Sequence, residues 1–128
     1  MLSNLEIHAT IPARDLARAK QFYADKLGLT PASETPGGLF YRCRDSGFVL
    51  YPGQGGTAPH TLAAWTVDDI EAEVAELKAR GVVFEEYDLP GLKTVDGIAT
   101  TGPNRAAWFK DSEDNILGLV QLEMPVPR

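Results

Sequence analysis

Two stretches of this chain carry the same succession of structural signals, and no other feature limits its fold as much. "LEIHATI" (Leu5 to Ile11) alternates as a strand does, with Leu5, Ile7, Ala9 and Ile11 on one side and Glu6, His8 and Thr10 on the other. Asp15 can then cap a helix in which Leu16, Ala19, Phe22, Tyr23 and Leu27 recur at helical spacing, and Gly28 ends it. Short strands are expected around Thr30–Glu34, Leu39–Cys43 and Phe48–Tyr51, separated by the turn-rich "TPGG" and "RDSG". After the loop "PGQGGTAP" the succession starts again. A strand "HTLAAWTV" leads to a helix "DDIEAEVAELKARG" with Ile70, Val74 and Leu77 on one face, and then to a strand "VVFEEYDL". A loop "PGLKTVDG" precedes strands at Ile98–Thr101, Ala106–Lys110 and Ile116–Leu122, the last two joined by the turn "DSEDN". The repeat is one of pattern rather than of residue identity.

One such unit is too small to bury both faces of its own sheet. The expected fold is therefore α+β. Two βαβββ modules, about residues 1–55 and 58–128, form a single domain with one curved mixed sheet, a concave cleft inside and the helices outside. A chain of 128 residues with 44% hydrophobic and 23% charged side chains can fill one core of that kind, and is not disordered. In the first strand the more apolar run should meet the helix, which turns His8, Glu6 and Thr10 toward the cleft.

Charge and composition narrow the partners. The net charge of −6 and the lack of any Lys/Arg cluster exclude a polyanion such as nucleic acid. No apolar run is long enough to span a bilayer, so no membrane partner is expected. The only cysteine, Cys43, cannot form an intrachain disulfide, which fits a reducing compartment; a soluble cytoplasmic protein is expected. Phosphate loops, paired-cysteine metal motifs and nucleophile elbows are missing, and "PGQGG" lacks the strand and helix that phosphate cradling needs.

With "IHATIPARDLARAKQFYADKLGL" at its start and "AWFKDSEDNILGLVQ" near its end, the pattern resembles the vicinal oxygen chelate superfamily of glyoxalase I, extradiol dioxygenases, fosfomycin-resistance enzymes and bleomycin-resistance proteins. The resemblance covers essentially the whole chain. It implies the paired-module fold, a homodimer, and a small-molecule ligand in the cleft. In metal-using members it also implies ligands on the inner faces of four strands. His8 stands at the first of these positions. Leu50 or Tyr51 stands at the second, Leu62 to Ala64 at the third, and Gly118 where such enzymes carry Glu. Glycine and leucine offer no lone pair, whereas a catalytic ion needs about three converging donors. No cofactor is therefore expected. The alternative is a divalent metal (Zn, Fe, Mn, Ni or Mg) held by His8 and His60, with Glu6 or Glu123 in support.

The leading expectation is a metal-independent small-molecule-binding protein, its cleft lined by His8, Thr10, Leu50, Tyr51, Leu62, Trp108 and Gly118. His8 with Glu6 is the candidate catalytic pair if proton transfer occurs there. The competing expectation is a divalent-metal lyase or dioxygenase of the glyoxalase I or extradiol type; a third is an accessory module with a vestigial cleft. Trp65 is out of phase with Leu62 and Ala64 and is expected to face a helix. The loop around residues 89–97 carries Lys93 and Asp96 as possible substrate contacts. Arg42, Arg44 and Arg105 are candidate carboxylate partners.

Overall fold

The structure, a computed structural model, describes residues 1–56 and 58–122. After a short 3-10 turn at Leu2–Asn4, the first module runs β1 (Ala9–Ala13), α1 (Leu16–Leu27), β2 (Ser33–Thr35), β3 (Gly38–Cys43) and β4 (Ser46–Pro52). The second runs β5 (Thr61–Thr66), α2 (Ile70–Ala79), β6 (Asp88–Leu89), β7 (Leu92–Val95), β8 (Ile98–Thr101), β9 (Asn104–Lys110) and β10 (Ile116–Gln121).

Both helices start and stop for local reasons. The Asp15 carboxylate accepts the Arg18 N–H at 3.0 Å, and the Asp69 carboxylate accepts that of Ala72 at 3.2 Å, so each satisfies an otherwise orphaned donor. Gly28 closes α1 in the left-handed conformation, φ 71°, and its N–H reaches the Tyr23 carbonyl. Ala19 and Tyr23, one turn apart, are the buried stripe of α1; Ile70 and Val74 are that of α2.

The strand orders are β1-β4-β3-β2 and β5-β10-β9-β8-β7-β6. In each, the first strand of a module lies parallel to its last, and the remaining pairings are antiparallel. The first four strands of the second order thus repeat the first order one for one, which is the expected pair of βαβββ modules. The hydrogen-bonded ladder divides into a four-stranded and a six-stranded sheet, whose strands β1 and β5 touch. One apolar core serves both. Ile11, Tyr23, Tyr41, Phe48 and Leu50 enter it from the first module, and Ile70, Val74, Phe109, Leu117 and Leu119 from the second. Trp65 bridges them, edge-on to Phe48 (6.1 Å) and nearly parallel to Phe109 (6.4 Å), so it faces the helix side as its phase requires.

Three expectations need correction. The first strand begins at Ala9 rather than Leu5, and Leu5 and Ile7 lie outside the sheet, 67% and 94% exposed. "VVFEEYDL" makes only a single bridge, Phe84 to Phe109, before the two residues of β6. The "PGLKTVDG" loop is a hairpin instead, with β6 and β7 adding two strands to the second sheet. Turn residues close that hairpin as readily as they would a loop, and a four-residue strand gives alternation too little length to register.

Candidate functional site

Alternation places the side chains of the open face. In β1, Ile11 and Ala13 are buried toward the helix, so Thr10 points the other way. Register carries that face across the sheet from Thr10 to Val49 and on to Phe40. His8 precedes the strand and is exposed; its ring packs against that of Phe40, centroids 5.7 Å apart, which puts it on the same face. Tyr51, at the end of β4, lies over Gly53, where a Cβ would come within 3.0 Å of its Cε2. Leu50 does not belong here. It is paired with Ile11, in phase with Phe48 and fully buried on the helix side, so of the two neighbours offered by sequence only Tyr51 reaches the open face.

In the second sheet the corresponding row is Ala64, Gly118, Trp108. A Cβ built on Gly118 would meet Trp108 Cδ1 at 3.4 Å and the Ala64 Cβ at 3.5 Å, so the indole borders the gap that a side chain there would fill. Tyr87 meets the indole edge-on, 5.6 Å away. Leu62, in phase with Ala64, is half-buried against the core edge. Sequence alone gave no sign of Tyr87, because its segment reads as a regular strand and makes only one bridge.

These positions do not fit a metal. Of the four strand sites, His8 supplies an imidazole and Tyr51 a phenol, while Leu62, Ala64 and Gly118 supply no donor. Glu6 and His60 are exposed, each just outside a strand. Among the described residues no three His, Cys, Asp or Glu side chains are grouped so as to hold an ion. Glu123 lies outside the described residues.

The strongest electrostatics are elsewhere, in the turn 111–115. Asp111 accepts the backbone N–H groups of Glu113 (2.8 Å) and Asn115 (2.9 Å) on one oxygen, and the Tyr23 hydroxyl (2.7 Å) and Asn115 amide (3.0 Å) on the other. Glu113, fully buried, takes Arg18 through Nε (2.8 Å) and Nη2 (3.1 Å), and also the Asp15 N–H (2.8 Å) and the Ser112 hydroxyl (2.9 Å). Burial opposes its ionisation, but these donors, Arg18 foremost, outweigh it and hold its carboxyl at about 2. The same partnership raises Arg18 above its ordinary value. The Asn115 amide also donates to the Pro12 carbonyl at 2.8 Å. The turn therefore fastens the β9–β10 hairpin of one module onto the β1–α1 junction of the other. Every carboxylate oxygen of Asp111 and Glu113 is already engaged, so the turn is a clamp rather than a reactive site.

A family model for the Glyoxalase/Bleomycin resistance protein/Dioxygenase superfamily matches residues 7–115. Among solved structures the chain is similar to UcmS2, at 21% identity over 88% of this chain and 94% of that one, with a TM-score of 0.70. It is similar to TnmS3, an antibiotic binding protein from Streptomyces sp. CB03234, at 24% identity over 93% and 98% of the two chains, TM-score 0.68. It is also similar to the fosfomycin resistance protein FosX from Listeria monocytogenes in complex with Mn(II) and sulfate, at 16% identity over 97% and 94%, TM-score 0.69. No curated protein matches it significantly. Among the described residues no helix is long and apolar enough to cross a membrane.

Proposed function

The chain belongs to the Glyoxalase/Bleomycin resistance protein/Dioxygenase superfamily, and from that premise we propose that it binds a flat, largely apolar small molecule on its open sheet face without a resident metal. The carrying observation is the row Ala64–Gly118–Trp108. Small side chains beside an indole leave a shallow apolar step on which a ring can stack, and no anionic donor stands where a metal would be held. Stacking on Trp or Tyr suits a planar or cationic guest, and the net charge of −6 favours the latter. His8 and Thr10 on the first sheet offer hydrogen-bonding groups that orient a polar edge. That one relative of the same fold is an antibiotic binding protein supports a sequestering role over a lyase or dioxygenase reaction.

The exposed apolar residues beside the open face support a homodimer as the working form, and the single thiol and acidic surface support a reducing, cytoplasmic setting. The test is a fluorescence and thermal-shift screen of planar aromatic compounds, with metal content measured on untagged protein. A hit that quenches Trp108, and whose thermal shift is lost in Trp108→Ala but only weakened in His8→Ala, is the expected result. Stoichiometric Zn, Fe, Mn or Ni, lost in His8→Ala, would overturn the metal-free reading.

A further inference from the structure

The second module carries residues 80–97 between α2 and β8, where the first needs only residues 28–32 between α1 and β2. The insertion is the β6–β7 hairpin, and it extends the sheet past the helix meant to cover it: α2 packs on β9 and β10. Register identifies what is left uncovered. Arg105 shares the helix side of β9 with Ala107 and Phe109. It is opposite Thr100, and two residues back along β8 lies Ile98, opposite Val95 of β7. Val95 is 65% exposed although it belongs to the face that elsewhere forms the core.

Between this bare strip and the flank of α2 runs a groove of about 620 Å³, within the range of small-molecule sites. Val74 and Ala75 on the helix and Val95 and Ile98 on the strands make it apolar. Its charges are unevenly spent. Arg105 is neutralised by Glu71 at 3.0 Å. Lys78 donates to the Asp96 backbone carbonyl at 3.0 Å, which pins the helix to the turn between β7 and β8. The Lys93 ammonium stands at the groove with no hydrogen bond or ion pair to any described side chain or carbonyl, its backbone being paired in the β6–β7 ladder. Three cations and two anions line a groove in a chain whose overall charge is −6.

We propose that this groove, on the helix side and separate from the open sheet face, is a second binding site for a small organic carboxylate with an apolar body. The body covers Val95 and Ile98, and the carboxylate is met by Lys93, with Lys78 next along the wall. Lys93, Asp96 and Arg105, three scattered residues in the sequence, are brought to one place by the hairpin.

The probes are 4-phenylbutyrate, 4-phenylbutanol and 4-phenylbutylamine, identical but for the charge of the head, titrated into methyl-labelled protein by NMR. Saturable shifts at Val74, Val95 and Ile98 are expected with the carboxylate, weaker binding with the alcohol, and weakest with the amine. Lys93→Gln should weaken the carboxylate about threefold, the scale of one exposed ion pair, and leave the alcohol unchanged. Val95→Asp, at an exposed position, should abolish carboxylate binding with the fold intact by circular dichroism. Equal affinity for all three heads would overturn the proposal, as would an unaltered carboxylate affinity in Lys93→Gln, or no saturable shift at these methyls up to the solubility limit. Trp108 indole shifts, read in the same spectra, report the open face independently, so failure of one site is distinguishable from failure of the other.

Discussion

Tyr23 and Tyr41 touch in the core, ring centroids 5.7 Å apart, but their hydroxyls fare differently. That of Tyr23 donates to Asp111 at 2.7 Å; that of Tyr41 finds no partner among the described residues. A buried hydroxyl without a bond keeps its desolvation cost, while removing a satisfied one strands its partner. Tyr41→Phe is therefore expected to be neutral or stabilising by up to about 1 kcal/mol, and Tyr23→Phe to cost about 1–3 kcal/mol. Urea unfolding midpoints measure both, and equal losses would contradict the assignment. The alkaline limb adds a check. Burial, with the Glu34 charge second, pushes Tyr41 from 10.0 up to about 12, so the unfolded chain gives up this proton first. Its share of stability is full below pH 10 and is lost as pH rises toward 12, a slope that Tyr41→Phe should reduce. At this scale period-2 phase was a sound guide inside strands, as for Trp65. It could not choose between Leu50 and Tyr51 for the cleft, because both neighbours are hydrophobic enough for either face. Nor could it show that Leu5 and Ile7 alternate outside the sheet, where alternation has no partner to bury it.

At the scale of elements, the turn 111–115 was legible as a turn but not as a buried clamp. Carboxylates in a polar turn ordinarily face water, and only the tertiary approach of Arg18 and the Asp15 N–H makes burial of Glu113 tolerable. The loop before β5 completes the seam: a Cβ on Gly55 would fall 2.5 Å from the Glu113 carbonyl, which explains a glycine in "PGQGG" without any phosphate. A carboxyl depressed from 4.5 to about 2 contributes stability that is present above pH 4.5 and lost as pH falls toward 2. Glu113→Gln is expected to flatten that acid limb and to lower stability at neutral pH by about 2 kcal/mol, since charge-assisted bonds are replaced by neutral ones. Unfolding free energies from pH 7 down to pH 2 test both parts together. An unchanged acid slope in the variant would mean that another carboxylate carries the transition. The β6–β7 hairpin was the least legible element. Its strand "LKTV" is too short for a periodic signal, and "PGL" and "VDG" read equally as loop.

For the whole molecule, the doubled order of signals sufficed to predict the pairing of modules, because each sheet needs the same cover and the chain supplies it twice. Whether the finished monomer meets a second copy was not legible from that order, since it depends on which apolar side chains remain outside. Ile7 is 94% exposed, Leu5 67% and Phe40 46%, and His8 against Phe40 draws the amino-terminal segment onto the open face of the first sheet. Such a group of large apolar side chains beside a binding face is the surface a homodimer would bury. Light scattering during size exclusion is expected to give twice the chain mass for the wild type. Ile7→Glu should give a monomer with an unchanged circular dichroism spectrum, because the residue makes no core contact and its charge would be carried into the interface. If the open face also binds ligand, occupancy and assembly share a surface. Ligand affinity at Trp108 should then depend on protein concentration in the wild type and lose that dependence in Ile7→Glu. A wild type that stays monomeric at the concentrations used for ligand titration would assign the exposed segment to some other contact and leave the binding face to act alone.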